Sequence, residues 1–555
     1  MEIALCTCEG RVKREHLEKI ENAHIFDRLC YERPEKRFDI AGCSHPALKS
    51  HARVLVDLNN LIFLRQNDPA EKAKIILKAY SEMLKAEISF IDAEVESSLL
   101  VRTDNAEFVS LLAKHFEPLY VLTDEPSISE MAVAIRGEIR SISGVVGNFS
   151  VELDGVEMRT GRKVRSLKVS QIVIPGIKDA REGIFSSEIQ ALEAVYNKDG
   201  IVKVRPLSYR DGRCGISFNG VNGCRLCRCP HGLVQHEERI VLDLMSCHGC
   251  GLCTSLCPSD ALSLQIFPRN VLMKMIEIMS EYRKRKTLLY ACRNAIGRVY
   301  GEKKTDSFFP VILPCINSLS EVELLYPLVR GFSGIYILPC DCPHEDFEGV
   351  ERGVKIARAF GIESIVIERD FYPDVVKKLN RSSPVSEGFQ LSPSEKREQL
   401  VEIISHIKKH VKPVTEKLDL NGFGSLSISD SCTLCKTCSS VCPMNAIKRN
   451  NGRLEFIHGL CINCNLCRLF CPESAIKIEN GLDLSEADIK KVLKEEKMVK
   501  CPRCQKEHIS ESEYRKVSAL TGHRIFTLYC NECKPVIVFE ELYREIAGER
   551  NEQNE

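Results

Sequence analysis

The sequence lacks several features that would place it in common functional classes. Its 555 residues include no tryptophan, and its 77 basic and 77 acidic residues leave a formal net charge of zero. With no excess charge of either sign, the composition gives no general attraction to nucleic acid or to an anionic membrane. No apolar run reaches the roughly 18 residues of a transmembrane helix. The first residues lack a basic start followed by a long apolar stretch, so we expect no secretory signal and a cytoplasmic protein.

Cysteine is abundant instead, and its spacing decides the class of protein. The chain has 28 cysteines in a background of 44% hydrophobic and 28% charged residues, a background typical of a globular chain of about three to five domains. A secreted disulfide-rich protein would distribute its cysteines among loops. Here they occur as C-x-C, C-x-x-C and longer runs, in which neighbouring sulfurs can face a common centre. Without an export signal, this spacing indicates metal ligation.

The cysteines form six groups, and each group has a multiple of four members. Four is the number of ligands that an iron–sulfur cluster or a structural zinc ion takes. The groups are Cys6, Cys8, Cys30 and Cys43; Cys214, Cys224, Cys227 and Cys229; Cys247, Cys250, Cys253 and Cys257; Cys292, Cys315, Cys340 and Cys342; Cys432, Cys435, Cys438, Cys442, Cys461, Cys464, Cys467 and Cys471; and Cys501, Cys504, Cys530 and Cys533. No cysteine is left over.

The strongest site is a tandem repeat in residues 432–471. Each half reads C-x2-C-x2-C-x3-C-P, with Ala-Ile shortly after the proline. This run is typical of bacterial two-cluster ferredoxins, in which the fourth cysteine of each motif ligates the other cluster. One [4Fe-4S] cluster then takes Cys432, Cys435, Cys438 and Cys471. The other takes Cys461, Cys464, Cys467 and Cys442. The alternatives are two zinc sites or disulfides.

A second site lies in residues 206–268, where one motif is complete and its partner is irregular. The complete motif consists of Cys247, Cys250, Cys253 and Cys257. In the irregular half, Cys229 is followed by Pro230, as a fourth ligand is in the complete motif. We therefore expect one cluster held by Cys229, Cys247, Cys250 and Cys253, and a second held by Cys214, Cys224, Cys227 and Cys257. The alternative is that the irregular half holds zinc or no metal.

The N-terminal cysteines carry a resemblance to a known family. IALCTCEG is followed by RLCYE and by DIAGCSHPAL, which gives the pattern C-x-C, then C, then C-S-x-P. This pattern resembles the N-terminal domain of the heterodisulfide reductase A subunit. The resemblance implies a [4Fe-4S] cluster held by Cys6, Cys8, Cys30 and Cys43. The alternative is a buried thiol pair with two incidental cysteines.

In that family the next segment is a flavin-binding βαβ unit, and this sequence keeps its layout without its glycines. Residues 96–125 read as strand, turn, helix and strand, and end in Asp124 and Glu125. Where G-x-G-x-x-G would let the backbone approach a pyrophosphate, the residues are Arg102, Thr103, Asp104, Asn105, Ala106 and Glu107. Because Asp104 and Glu107 would repel phosphate, we expect a degenerate flavoprotein scaffold without FAD. An unrelated α/β linker domain is the alternative.

A further site follows predicted strands in residues 286–368. The segments LLYACRN, VILPCIN and YILPCDCPHEDF place cysteines at strand ends, where a parallel α/β sheet normally places its ligands. The region resembles the delta subunit of methyl-viologen-reducing hydrogenase, which docks a hydrogenase or dehydrogenase onto heterodisulfide reductase. The resemblance implies a [2Fe-2S] cluster held by Cys292, Cys315, Cys340 and Cys342. The family has four residues between the last two cysteines and this chain has only Asp341, so the cluster type stays open. A domain with reduced thiols is the alternative.

The last group is typical of a zinc ribbon. KCPRCQKEH and LYCNECKP supply Cys501, Cys504, Cys530 and Cys533. Two such knuckles make a closed site with four sulfur ligands, which serves folding or docking because no coordination position is left open. Rubredoxin-type iron in the same ligands is an alternative. The mixed flanking charge argues against binding of nucleic acid.

The sequence thus predicts a multidomain α/β and α+β protein. We expect Rossmann-like α/β domains, two ferredoxin-like two-cluster modules and a small C-terminal zinc ribbon. The predicted domains are an N-terminal cluster domain at 1–85, a degenerate flavoprotein-like domain at 86–205, a ferredoxin-like domain at 206–268, a hydrogenase delta-subunit-like domain at 269–385, a linker with a helix at 386–425, a two-cluster ferredoxin domain at 426–482 and the ribbon at 495–540.

This organisation favours an electron-transfer subunit without catalysis of its own. We expect about five [4Fe-4S] clusters, one [2Fe-2S] cluster and one Zn. The expected partners are other subunits of an anaerobic redox complex: a flavoprotein, a hydrogenase or dehydrogenase, and heterodisulfide reductase-like subunits. We expect neither nucleic acid nor a membrane span. The alternatives are a flavin-dependent thiol–disulfide reductase or electron-bifurcating enzyme, and a scaffold for cluster assembly.

Overall fold

The protein is described here by a computed structural model with several mixed α/β units. The structure describes residues 1–6, 12–27, 29, 37–42, 52–58, 61–62, 69–87, 89–93, 97–177, 183–188, 194–195, 201–229, 233–235, 239–300, 308–341, 346–521 and 528–546. Parallel sheets flanked by helices recur along the chain. This architecture confirms the predicted multidomain α/β class.

The N-terminal unit is a four-stranded parallel sheet with helices beside it. The strand order is Ala23–Phe26, Ile3–Cys6, Phe38–Ala41 and Ala52–Leu55, and the helices are Arg14–Leu17 and Ala70–Tyr80. The longer helix buries an apolar stripe that includes Ile76 and Leu77, and a stripe of this kind needs a partner. That partner is the helix Arg269–Ser280 of a later unit.

Residues 97–185 form a seven-stranded sheet that is inserted into the chain. The strand order is Lys163–Val169, Asn148–Glu157, Val133–Val145, Leu119–Leu122, Leu99–Arg102, Gln171–Val173 and Ile184–Phe185. The strands Leu99–Arg102 and Leu119–Leu122 are parallel and are joined by the helix Ala106–Leu112, as the sequence predicts. A ribbon of Phe90–Ala93 paired with Ile201–Val204 closes the entry and exit of the unit.

A four-stranded parallel sheet with long buried strands follows in residues 287–367. The strand order is Phe308–Leu313, Thr287–Cys292, Gly334–Leu338 and Ile365–Ile367, and the helices are Arg269–Ser280, Glu321–Val329, Glu348–Ala359 and Pro373–Leu379. The first three strands along the chain match the apolar runs predicted before Cys292, Cys315 and Cys340. Because parallel strands run in one direction, their carboxyl ends meet at a single edge. We call this edge, with Cys292, Cys315 and Cys340, the cysteine edge.

We call residues 206–268 module A and residues 426–482 module B. The two modules share one plan, an outer strand pair around an inner hairpin. In module B the outer pair is Gly424–Ile428 with Ile476–Asn480 and the hairpin is Ile447–Asn450 with Arg453–Ile457. In module A they are Leu207–Tyr209 with Leu262–Leu264 and Leu233–Gln235 with Ile240–Leu242. Short helices within the motifs are Leu252–Leu256, Thr437–Ser440 and Leu466–Leu469.

The predicted linker at 386–425 contains the predicted helix, but this helix does not act as a spacer. Lys396–His410 packs against Glu321–Val329 on one side and against the turn His458–Leu460 of module B on another. The N–H of Lys396 also donates to the Asp260 carboxylate of module A at 2.8 Å. Its buried apolar side chains are Leu400, Ile403, Ile404 and Ile407. The helix therefore joins three units: it packs against two of them and is hydrogen-bonded to module A.

The C-terminal part contains a hairpin and two helices. The hairpin pairs Met498–Lys500 with Glu507–Ser510, and the helices are Glu511–Thr521 and Lys534–Ile546. The strand Lys490–Glu495 adds to the inner hairpin of module B. Within the described ranges, no helix is both long enough and apolar enough to cross a membrane.

Candidate iron–sulfur and metal centres

Module B contains a cavity that four of its cysteines line. The cysteines that line it are Cys442, Cys461, Cys464 and Cys467. Three belong to the second motif and Cys442 belongs to the first, which is the exchange of fourth ligands expected of a two-cluster ferredoxin. The remaining lining is apolar except for Asn465: Pro443, Met444, Ala446, Ile447, Phe456, Ile462 and Ile478. Four converging sulfurs in an apolar space fit a [4Fe-4S] cluster.

The other four cysteines of module B form a second group beside the first. Burial, followed by the charges of Cys432, Cys435 and Cys471, raises the pKa of Cys438 to about 12. Burial and the charges of Cys461, Cys464 and Cys442 raise the pKa of Cys467. The charge of Cys438, which belongs to the second group, also contributes to this shift. The structure therefore brings together both predicted ligand sets of module B and places them next to each other.

The three complete motifs share an unusual backbone conformation at three equivalent positions. The residues are Leu434, Lys436 and Asn445; Asn463, Asn465 and Ser474; and Gly249, Gly251 and Asp260. Each has a positive φ, between 50° and 78°, a region that residues other than glycine adopt only rarely. The motif of module A therefore winds in the same way as both motifs of module B.

Backbone N–H groups point at the cysteine sulfurs. The Asn463 N–H donates to the Cys461 Sγ at 3.4 Å. The sulfurs of Cys250, Cys432 and Cys464 likewise accept from the N–H two residues later. Cys224, in the irregular half of module A, accepts from Leu226 in the same manner. Such donors stabilise negative charge on sulfur, so Cys224 has the local geometry of the regular ligands.

Module A also sorts its cysteines into two groups. Burial, followed by the charges of Cys229, Cys250, Cys247 and Cys227, holds the pKa of Cys253 well above its ordinary value. Cys214 and Cys224 instead lie near Cys257. Cys229 precedes the inner hairpin, as Cys442 does in module B. The structure thus groups Cys229 with Cys247, Cys250 and Cys253, and groups Cys214 and Cys224 with Cys257. Cys227, which was predicted in the second set, acts on Cys253 of the first.

The two modules meet at their cysteine loops. Burial raises the pKa of Cys224 to about 12, and the charges of Cys257 and of Cys464 in module B contribute to the shift. Phe218 of module A packs edge-on against Phe470 of module B, with ring centroids 5.4 Å apart. A Cβ atom on Gly215 would lie 3.3 Å from the Ile462 Cδ1. The boundary is therefore closely packed beside two predicted ligand sets.

The cysteine edge brings together three of its four predicted ligands. Cys292 ends the strand Thr287–Cys292, and Cys315 and Cys340 each follow a strand by two residues. A hydrogen bond from Cys315 lowers the pKa of Cys292 to about 7, and the pKa of Cys315 is raised correspondingly. Cys340 is disulfide-bonded, so its use as a ligand requires reduction. Cys342 lies outside the described residues.

Module A packs directly on the cysteine edge. A Cβ atom on Gly251 would lie 2.5 Å from the Ser318 Cβ. The equivalent positions of module B, Lys436 and Asn465, carry side chains at a similar positive φ. Glycine at 251 is therefore required by the close approach of Ser318, since φ alone admits other residues. The Cys250 charge also contributes to the raised pKa of Cys315, so the two predicted sites are neighbours.

The four C-terminal cysteines have the spacing of ligands to a single ion. The sulfurs of Cys501, Cys504, Cys530 and Cys533 all lie within 4.8 Å of one another. A tetrahedral zinc ion with Zn–S bonds of about 2.3 Å spaces its sulfur ligands about 3.8 Å apart, so these residues fit zinc. Across the described part of the chain, no other set of three or more potential ligands is as compact.

Only one of the N-terminal cysteines can be placed. Cys6 ends a parallel strand, is buried, and its Sγ accepts from the Leu29 N–H at 3.4 Å. The other predicted ligands, Cys8, Cys30 and Cys43, lie outside the described residues. Cys6 therefore stands at the carboxyl edge of its sheet, as Cys292 does in the later one.

The corresponding edge of the inserted sheet does not fit a flavin dinucleotide. The Asn105 side chain caps the helix Ala106–Leu112 by accepting from the Phe108 N–H at 3.1 Å. The Asp104 carboxylate accepts from the Thr123 hydroxyl at 2.6 Å and from the Asp124 N–H at 3.0 Å, and these bonds lower its pKa. One N–H group at the helix N-terminus that could bind a pyrophosphate is therefore already bonded within the chain, and the Asp104 carboxylate lies beside it.

Buried charges at the contacts between units were not predicted from the sequence. Lys396 Nζ donates to the carbonyls of Thr254 and Ser255 at 2.8 and 2.9 Å, within the complete motif of module A. Arg352 pairs with Glu321, and both side chains are less than 5% exposed. Charged residues are exposed in most helices, so no local pattern identifies these as interior.

Comparison with known proteins supports the two modules. Residues 431–476 match the family described as 4Fe-4S dicluster domain, and residues 240–263 match the family described as 4Fe-4S binding domain. A stretch of 65 residues is 32% identical to a protein named dihydromethanopterin reductase (acceptor) from Methanosarcina mazei. The match covers 10% of this chain and 27% of that protein, so the chain spans about a quarter of this relative. The chain therefore carries two ferredoxin-type [4Fe-4S] domains, which support a role in electron transfer.

Proposed function

We propose that this chain is an electron-transfer subunit of an oxidoreductase complex related to heterodisulfide reductase and hydrogenase. When bound, iron–sulfur clusters supply reversible uptake and release of single electrons. The chain contributes converging cysteine ligands, N–H donors that stabilise their charge, and a packed interior that excludes water. It has no reaction chemistry of its own in this proposal.

The observation that carries the proposal is the cavity of module B. Its four cysteines come from two motifs, and nearly all of its other lining is apolar. A disulfide scaffold would pair these cysteines, yet all four are free. A single zinc ion would need sulfurs as close as those of the ribbon, and the cysteines of the cavity form no such compact group. A cluster is the larger group that suits this wider spacing.

The contacts between the predicted sites support electron transfer from one site to the next, instead of isolated sites that each hold electrons. Cys250 and Cys315 interact across the boundary of module A with the cysteine edge. Cys224 and Cys464 interact across the boundary between the modules, and Cys438 and Cys467 interact within module B. The cysteine edge, module A and module B thus form a line of neighbouring sites.

We further propose about five [4Fe-4S] clusters and one [2Fe-2S] cluster, with one Zn in the ribbon. The [2Fe-2S] site is the cysteine edge. Its likeness to the hydrogenase delta subunit supports a hydrogenase, dehydrogenase or flavoprotein as the partner that docks there. The heterodisulfide reductase-like pattern at Cys6 supports a reductase subunit as another partner. The partial similarity to an acceptor-linked reductase agrees with a redox complex.

Rapid anaerobic reduction tests this function. Purified chain mixed with reduced methyl viologen in a stopped-flow instrument should bleach at cluster wavelengths, with no flavin released on denaturation. The variant Cys467→Ala should lose part of the bleaching amplitude. The matched control Cys504→Ala, in the ribbon, should keep all of it. A chain that shows no bleaching, or that carries stoichiometric flavin, would contradict the proposal.

A further inference from the structure

A buried arginine lies between the cysteine loops of modules A and B. Arg397 is the second residue of the helix Lys396–His410 and is 2% exposed. Its guanidinium stacks on the Phe423 ring, 3.8 Å from the centroid, and its Nη2 donates to the Gly422 carbonyl at 2.9 Å. Its buried Nη1 has no hydrogen-bond acceptor in the described part of the chain. The guanidinium is therefore fixed in position, and its Nη1 group remains available to donate a hydrogen bond.

The segment that Arg397 binds touches both modules. A Cβ atom on Gly422 would lie 2.8 Å from the Leu226 Cδ1, in the loop between Cys224 and Cys227. A Cβ atom on Gly424 would lie 3.2 Å from the Cys461 Sγ. Glycines at these two positions let one short backbone segment reach both loops. The guanidinium attached to this segment consequently lies beside a ligand set of module A and a ligand set of module B.

Among the residues that the structure describes, no carboxylate forms an ion pair with Arg397. Glu321 is the acidic side chain whose charge acts on it most strongly, but Glu321 forms its ion pair with Arg352, a second buried cation. An isolated buried cation is costly, so negative charge of another kind is required. The sulfurs of Cys461 and Cys224 interact electrostatically with Arg397. Thiolates that hold clusters at these positions would supply that negative charge.

We propose that Arg397 is a fixed positive charge shared by the two clusters that adjoin the boundary between modules A and B, and that it raises the reduction potentials of both. The inference rests on the proposed function, because it requires clusters in both ligand sets. A nearby cation favours the reduced, more negative state of a cluster. One charge between two sites raises them together, so neither becomes a trap at the passage from one module to the other.

Potentiometric titration of the anaerobic full-length chain, followed by EPR, tests this positioning role. In Arg397→Gln, the reduced-to-oxidised ratio of two clusters at a fixed solution potential should fall about tenfold, which is about 59 mV for one electron. Arg397→Lys keeps the charge and should hold both ratios within about threefold of the unmodified chain. The control is Arg330→Gln, since Arg330 binds the Phe389 carbonyl and the Ser280 hydroxyl. It should shift no cluster.

Each outcome decides the inference. A glutamine variant that keeps its iron and shows unchanged potentials overturns it, while the proposed function stands. If the glutamine variant loses iron, the lysine variant decides: retained iron with potentials within threefold supports the inference. A lysine variant that loses iron as well, or shifts by the same tenfold, assigns Arg397 a packing role and overturns it. Absence of iron from the unmodified chain would overturn the proposed function itself.

Discussion

Modules A and B wind their complete motifs alike and differ in what surrounds them. In module B, side chains occupy the three left-handed positions of each motif, and both motifs are regular. In module A, two of those positions are glycine and the partner half is irregular. The complete motif of module A also packs against the cysteine edge, and its Asp260 accepts from the helix Lys396–His410.

This difference shows that the sequence of a cysteine loop departs from the regular motif where the loop is packed against another unit. Lys436 of module B is exposed at its left-handed position, whereas Gly251 faces Ser318 with no space for a side chain. The irregular loop of module A likewise carries Gly215 and Gly223, both packed on side chains of module B. Departures from the ferredoxin pattern thus occur where module A meets its neighbours.

The largest expected effect concerns iron content and asks whether the irregular half is a true site. Cys224→Ala in module A and Cys435→Ala in module B should each remove about four Fe per chain, since each deletes a ligand of a four-iron cluster. Iron and acid-labile sulfide analysis of anaerobic preparations measures this. If Cys224→Ala retains all its iron while Cys435→Ala does not, the irregular half holds no cluster and the two modules are not equivalent.

The second prediction exchanges the residues at one equivalent position. Gly251→Lys should lower the free energy of unfolding by about 2–3 kcal/mol, because its Cβ overlaps Ser318. The matched change Lys436→Gly should alter it by less than about 1 kcal/mol, since strain relief and added chain entropy oppose each other. Urea unfolding under anaerobic conditions measures both. Equal losses of unfolding free energy in the two variants would show that the positive φ, and not the contact with Ser318, explains the glycine at 251.

The third prediction uses proton release to compare buried thiols. Burial is the largest cause that raises the pKa of Cys224, Cys438 and Cys464 to about 12 and that of Cys461 to about 11. An ordinary thiol, with a pKa of about 8.5, is largely ionised at pH ~9.5. Metal binding requires thiolates, so cluster assembly at that pH should release at least four protons. Cys253 and Cys467, whose pKa values burial also raises, should add to this number.

The same shifts fix the pH dependence of the iron-free chain. A folded-state pKa above the unfolded value contributes stability that is complete below about pH 8.5. This stability is lost as the pH rises from about 8.5 toward 12, because unfolded thiols ionise first. Anaerobic acid–base titration in weak buffer measures the proton release. Urea unfolding across this pH range measures the change in stability. Release of less than one proton at pH ~9.5 would mean that the thiols are not buried before assembly.

The smallest expected effect concerns surface ion pairs beside the loops. Arg228 of module A pairs with Glu348, and Lys516 pairs with Glu473 of module B. Both cationic side chains are more than 40% exposed, so Arg228→Gln and Lys516→Gln should each cost at most about 1 kcal/mol. Thermal unfolding followed by cluster absorbance measures this. A larger loss for Arg228→Gln alone would show that module A depends on this pair for its packing.

Much of the candidate site could be predicted because cysteine spacing is a local property. The exchange of Cys442 into the second ligand set follows from the motif alone, and strands ending at Cys292 follow from buried apolar runs. The absence of glycine from residues 102–107 likewise predicted an edge unsuited to flavin, and the Asn105 cap is a physical reason.

The rest depends on contacts between distant segments. Lys396 and Arg397 begin a helix whose charged pattern resembles a solvated face, so their burial follows only once three units are assembled around them. The requirement for glycine at 251 depends on Ser318, which is 67 residues away along the chain. No periodicity within either segment carries that information, since it arises from tertiary packing.

Quantitative iron, sulfide and zinc analysis of the anaerobically purified full-length chain is the most direct test of the central claim that cysteines gather iron into neighbouring centres. We expect about 22 Fe and one Zn per chain, from about five four-iron clusters and one two-iron cluster. A total below about 16 Fe would remove two of the four-iron sites. A colourless, iron-poor protein whose cysteines are paired as disulfides would contradict the claim altogether.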